Sequence, residues 1–323
     1  MVNALRTLQR RIVTPDDSAT SLETRGFYVK DSTAQELLET IGRMFLVGYA
    51  HAVQEPTPAA AAERLDQVPV RFRGFAYEGA AMAYTVVGAM PFTGARRLDT
   101  FLAGPGRPHA YMAYIGVGWA MAKLPRFLWP KFDHDPLLQW FVLDGYGFHQ
   151  AYFKTEKYVH GQYRDPAFPW PGGPHQWYAP QAMDQGIGRA IWFVGGTDAD
   201  VVTDLIGKFP AARRPDLYAG AGLAATYAGG AGEDELLRFW KAAGDCRPQV
   251  AQGSAFAAEA RRMAGLATPH TGIATEVFCG LPPERAADVC VQTRPDGPDT
   301  GELPAHEVWR RRIADEFVSL GRS

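Results

Sequence analysis

Two matching segments rich in glycine and alanine constrain this chain more than any other feature. Tyr77-Glu-Gly-Ala-Ala-Met-Ala-Tyr-Thr-Val-Val-Gly88 aligns with Tyr218-Ala-Gly-Ala-Gly-Leu-Ala-Ala-Thr-Tyr-Ala-Gly229, and Tyr, Gly, Ala, Ala, Thr and Gly coincide at a constant offset. The same register pairs Pro69 with Pro210 and Arg73 with Arg214. Upstream, Ile41-Gly-Arg43 answers Ile187-Gly-Arg189. Downstream, Gly116-Val-Gly-Trp-Ala120 resembles Gly253-Ser-Ala-Phe-Ala257. Matches kept in the same order point to an internal duplication.

The period within each copy is helical. Val201, Val202, Leu205 and Phe209 fall on one helical face, with Asp198 placed as N-cap and Pro210 as the stop. Leu236, Leu237 and Trp240 repeat the pattern behind acidic residues suited to a helix N-terminus. Pro282 and Pro283 open another helix, and a last one runs from about Pro304 to Leu320 with Val308, Trp309, Ile313 and Phe317 inward. Glycine inside a helix costs about 1 kcal/mol against alanine, so the repeated segments need a compensating gain. Close helix packing along Gly79 and Ala83, and along Gly220, Ala224 and Ala228, supplies one; a groove opened for a ligand is the alternative.

Between the copies, residues 154–181 hold five prolines and many aromatics, which excludes both a continuous helix and a disordered linker. This segment reads as an ordered strap. The expected fold is all-α: an array of short antiparallel helices in two pseudo-repeated halves, 1–153 and 182–323, packed like a compact solenoid in one domain.

Charge and cysteine content exclude several classes of function. The formal net charge is −2 with no basic tail, which argues against a nucleic-acid partner. The longest apolar stretch, Ala110 to Ala122, is too short for a membrane span, which takes about 20 residues. Cys246, Cys279 and Cys290 form no paired framework, and no signal peptide is visible, so a reducing cytoplasm is expected. Cys279 and Cys290 read as small buried hydrophobes.

The segments Arg73-Gly-Phe-Ala-Tyr-Glu-Gly-Ala80, Asp144-Gly-Tyr-Gly-Phe-His-Gln-Ala-Tyr-Phe153, Asp184-Gln-Gly-Ile-Gly-Arg189 and His270-Thr-Gly-Ile-Ala-Thr-Glu276 resemble the UnbL-type family of enediyne biosynthesis accessory proteins, over almost the whole chain. The resemblance implies a role between the linear polyene released by the enediyne polyketide synthase and the finished core. It also implies other proteins of that biosynthetic cassette as partners, one of them membrane-bound. It carries over no catalytic residue.

Standard chemical signatures are absent from the sequence. There is no HExxH, no GxSxG, no phosphate loop and no Glu-x-x-His pair of the di-iron kind, so no metal site is assigned and the cofactor is unknown. Gly145-x-Gly147 and Gly186-x-Gly188 lack the third glycine and the strand of a dinucleotide fingerprint.

Scattered polar residues remain as candidates. Asp144 and His149 form either a carboxylate–imidazole pair for proton transfer or a helix cap and a satisfied core histidine. Glu78 is a third catalytic candidate, because it stands where the second copy has Ala219. Asp184 pairs with Arg189 or caps a helix; His270 and Glu276 are structural or exposed. Tyr146, His160, Tyr163, Trp170, His175 and Trp177 either line a pocket for a flat polyene or fill the seam between the halves. Three functions compete. One is an enzyme, or enzyme subunit, acting on the polyene, for example by oxidative desaturation with the redox centre supplied by a partner. The second is a polyene carrier. The third is a scaffold that docks a membrane enzyme through the Arg-rich segment Met1 to Val13.

Overall fold

The computed structural model describes residues 20–90, 96–130, 135–296 and 301–323. The segment Met1 to Val13 therefore lies outside the described residues. Among them the chain is all-α, with no strand. Fifteen α-helices follow in order: α1 (Leu22–Arg25), α2 (Ser32–Gln54), α3 (Pro58–Leu65), α4 (Val70–Gly88), α5 (Arg97–Ala103), α6 (Ala110–Lys123), α7 (Trp140–Phe153), α8 (Ala179–Val194), α9 (Ala199–Gly207), α10 (Arg214–Tyr227), α11 (Glu233–Ala243), α12 (Arg247–Met263), α13 (Pro269–Cys279), α14 (Pro283–Gln292) and α15 (Ala305–Ser319).

Seven helices, α2, α4, α6, α7, α8, α10 and α12, pack each against the next. Their glycines explain how. Residues i and i+2 of a helix point about 200° apart, so a small-x-small pair thins a helix on two opposite sides. Gly118 of α6 lies on the Val142 carbonyl of α7, while Gly145 of α7 lies on the Ile115 carbonyl of α6. Gly147 meets Met183, and Gly186 meets Asp144 in return. Gly188 meets Leu217, and Gly220 meets Gln185. In each pair one residue number rises as its partner falls, so neighbouring helices run antiparallel. A methyl group at any of these glycines would overlap the facing carbonyl oxygen. The glycines thus gain close backbone packing and the dispersion that goes with it, and they do not open a groove.

Aligned positions of the two matching segments make equivalent contacts. Arg73 donates to the Val68 carbonyl (3.1 Å) as Arg214 does to Phe209 (2.8 Å). Thr85 donates to the Ala81 carbonyl and Thr226 to the Gly222 carbonyl, both at 2.8 Å. Gly116 rests on the Glu78 carbonyl and Gly253 on that of Ala219. One register needs correction. The counterpart of Gly188 is Gly48, since they sit on the aligned residues Leu217 and Ala76, whereas Gly42 meets the Thr20 side chain.

The remaining helices cover this row. Asp31 and Asp198 cap α2 and α9 by accepting from Ala34 N and from Asp200 and Val201 N. In α15, Trp309, Ile313 and Phe317 are buried and Val308 half-buried. Arg310 anchors this helix, donating to the Tyr178 hydroxyl (2.9 Å), Asp216 (2.8 Å) and Gln252 (3.1 Å). Cys279 and Cys290 are buried and unpaired. No helix among the described residues is long and apolar enough to cross a membrane.

Candidate functional site

Where α2, α4, α6, α7 and α8 meet, the row leaves a cavity. Its walls are almost wholly apolar: Leu38, Ile41, Phe45 and Leu46 from α2, Phe75 and Met82 from α4, Phe148, Tyr152 and Phe153 from α7, and Phe193 from α8. Counting the part open to solvent, its volume is about 680 Å³. Trp119 of α6 forms one side, its ring 4.6 Å from Phe45 and 5.2 Å from Phe148. Lys123 also lines the cavity, its ammonium 5.2 Å from the Phe153 ring.

Two of the lining residues are charged groups buried at the base, Glu78 and Arg189. Burial pushes the Glu78 carboxyl up to about 8; Arg189 opposes this and Asp144 adds to it. The Trp119 indole also favours the Glu78 carboxylate, but its N–H makes no regular hydrogen bond. Behind Glu78, Arg189 donates a hydrogen bond from Nη1 to Asp144 Oδ1, leaving Asp144 Oδ2 and Arg189 Nε without partners among the described residues. Burial pushes Asp144 up while Arg189 holds it down; Arg189 is kept protonated by Asp144 and Glu78. At pH 7 the Glu78 carboxyl is therefore largely protonated, beside the hydrogen-bonded Arg189 and Asp144. Such an acid can donate a proton into the cavity.

Of the three catalytic candidates, Glu78 reaches this cavity and Asp144 stands behind it. The carboxylate–imidazole pair does not form. Asp144 and His149 lie five residues apart, about 140° around α7, so they face different neighbours. His149 packs on Phe153 (4.6 Å) and edge-on to Trp119 (5.4 Å), and neither ring nitrogen has a partner. The same spacing separates Asp184 from Arg189: Asp184 is held by Arg213 at 2.6 and 3.0 Å. His270 bonds the Tyr227 carbonyl at 3.0 Å and Glu276 is exposed.

None of the six aromatic candidates lines the apolar cavity. Tyr146 and Tyr163 reach a second, polar cleft beneath the strap. His160 is exposed, 3.9 Å from Glu156. Trp170 and His175 are buried, and Trp177 is half-exposed against Tyr178. Sequence reasoning missed Trp119, the α2 wall and the role of Arg189. Trp119 stands inside one of the repeat segments, opposite Phe256 of the second copy.

No group of three or more His, Cys, Asp and Glu among the described residues is placed to hold a metal ion.

The buried histidines make a measurable prediction. Burial lowers His109 to about 4, and His149 and His306 to about 3. Unfolded histidines titrate near 6.5, so below that pH the unfolded chain binds more protons. The stability these neutral rings permit is complete above about pH 6.5 and is lost as pH falls toward 3–4. Glu78, raised to about 8, and Asp216, raised to about 6, act oppositely, gaining stability as pH falls. His270 is lowered to about 4 as well, and burial raises Asp144, Asp184 and Glu259, so a single ring isolates the effect. Between pH 7 and 4.5, urea melts should show the stability difference between His149→Phe and the parent shift by about 2 kcal/mol in the variant's favour. A difference between the two proteins that stays constant with pH would contradict it.

Neither a curated protein nor a solved structure matches the chain. A family model described as a protein of unknown function, DUF1702, matches residues 4–317, and the chain belongs to that family.

Proposed function

We propose that this protein binds a linear, apolar, unsaturated chain in the cavity beside Glu78 and exchanges a proton with it. In this reading it is an accessory protein of enediyne assembly that works on, or with, the linear polyene during core formation. One observation carries the proposal: a largely protonated carboxyl at the base of a cavity walled, apart from Thr20, Lys123 and Arg189, by aromatic and aliphatic side chains. Flat aromatic walls suit a conjugated chain. Glu78 in its acid form passes a proton to one carbon of the bound polyene, Arg189 stabilises the carboxylate that remains, and that carboxylate takes a proton back from another carbon of the chain, so a double bond shifts with no change in composition. Any oxidative step takes its redox centre from a partner protein.

A pure carrier needs the walls but not the acid, and one experiment separates the two readings. A conjugated tetraene hydrocarbon, followed by its own fluorescence and by tryptophan quenching, should bind saturably at one site. Leu46→Trp, which fills the cavity, should weaken binding at least tenfold; affinity equal to the parent's would sink the cavity reading. Binding should be flat from pH 6 to 7 and weaken above about pH 8, as the Glu78 carboxyl ionises in an apolar space. Glu78→Gln should bind within about threefold of the parent, lose this pH dependence, and abolish product formation in the producing cell. Full product titre with Glu78→Gln would leave the protein a carrier.

A further inference from the structure

The second cleft lies on the other side of α7, between its C-terminal end, the strap and the start of α8. It is similar to the first in volume, about 640 Å³ counting the part open to solvent, and differs in kind: much of its lining is polar and charged. Its floor is a small hydrogen-bond device. Gln150, buried at 4% exposure, donates from Nε2 to the Tyr146 hydroxyl (3.0 Å) and to the Tyr158 hydroxyl (3.1 Å). Each phenol oxygen thus spends a lone pair as acceptor and retains its own O–H proton to donate. Among the described residues neither hydroxyl donates to any protein acceptor.

Around this floor the charges do not balance. Arg126, Lys154, Lys157 and Arg164 line the cleft, against two carboxylates, Asp165 and Asp184. Asp184 is already gripped by Arg213, with Arg164 a further 3.8 Å contact, and Asp165 lies 3.5 Å from Arg126. Lys154 and Lys157 form no ion pair among the described residues; Lys157 instead lies 3.8 Å over the Tyr163 ring. Two hydroxyl donors below and, at the rim, two ammonium groups without an ion pair among the described residues complement an oxyanion.

We propose that this cleft is a second ligand site, specific for the phosphate or carboxylate end of a small molecule, with Tyr146 and Tyr158 as floor donors and Lys154 and Lys157 as charge partners. It is separate from the apolar cavity and does not depend on what that cavity binds.

The test is calorimetric titration at low ionic strength with inorganic phosphate and, separately, with succinate. Saturable binding of at least one probe is expected. Lys154→Gln/Lys157→Gln should weaken it more than tenfold, and Tyr158→Phe about fivefold or more, while Leu46→Trp leaves it unchanged. Melting temperatures check that each variant is folded. Tighter binding of phosphate would identify a phosphorylated ligand, and tighter binding of succinate a carboxylate one; either supports the site. Absence of saturation with both probes would overturn it. So would parental affinity in Tyr158→Phe, because that reduces the binding to loose attraction by surface lysines.

Discussion

Gly118→Ala should cost this protein more than about 4 kcal/mol, and in most expression conditions should leave little folded material. The added methyl would occupy the space of the Val142 carbonyl oxygen and crowd Tyr146 N. Neither obstacle is the end of a flexible side chain, so no rotamer change relieves the overlap. The helices α6 and α7 must move apart, and α7 is itself in backbone contact with α8 through Gly147. Strain at one interface therefore reaches the next, since packed interiors have no slack to absorb it. An internal control is available. At Gly207, at the end of α9, an added methyl would find nothing within 4 Å, and Gly207→Ala should be neutral or stabilising by up to about 1 kcal/mol. Thermal melts of the two variants decide the matter. A Gly118→Ala protein that melts within about 2 °C of the parent would mean that this contact does not set the helix spacing.

The second large effect concerns the ion pair beneath the cavity. Arg189→Met should destabilise by about 3–5 kcal/mol, because it strands the Asp144 carboxylate away from water without a partner. The deficit should carry a pH signature. Without Arg189 the folded-state pKa of Asp144 rises further above its unfolded value, so the folded state takes up the proton first. The penalty is then largest at neutral and higher pH and shrinks as pH falls through the raised pKa. Asp144→Leu/Arg189→Met should recover much of the loss, since paired apolar replacement removes both desolvation costs. A double-mutant cycle reads the coupling directly. A single-variant loss below about 1 kcal/mol would show that the pair contributes little to the fold. Removing Arg189 also takes away the positive charge that holds Glu78 down, so the onset of weaker ligand binding should move above pH 8.

Much of the fold was legible because its signals are local. The Tyr77 and Tyr218 segments, the prolines ahead of them and the Arg73 and Arg214 side chains make equivalent contacts in both copies. The finer period was harder to read. Small-x-small pairs recur at Gly48, Gly79, Gly116, Gly145, Gly186, Gly220 and Gly253, one per helix of the row, but at uneven intervals that a constant-offset comparison passes over. Gly145-x-Gly147 and Gly186-x-Gly188 stand in plain view, yet as motifs they read only as incomplete nucleotide fingerprints. The site was less legible for a physical reason. Glu78, Arg189 and Asp144 come from three helices, and the partner of each lies across an interface and not along its own helix. Sequence proximity suggested Asp144 with His149 and Asp184 with Arg189, both five residues apart and both turned away from each other. The apolar cavity draws one of its walls from α2, whose side chains carry no chemical signature of their own.

The glycine contacts also bear on how such a protein can change over generations. At most positions a gene can drift through chemically similar residues before selection notices. Glycine has no such neighbours: every missense codon change there adds at least one carbon. Each close contact is therefore closed to single-step replacement while the backbones touch, and exchange is left to positions with open space around them, such as Gly207.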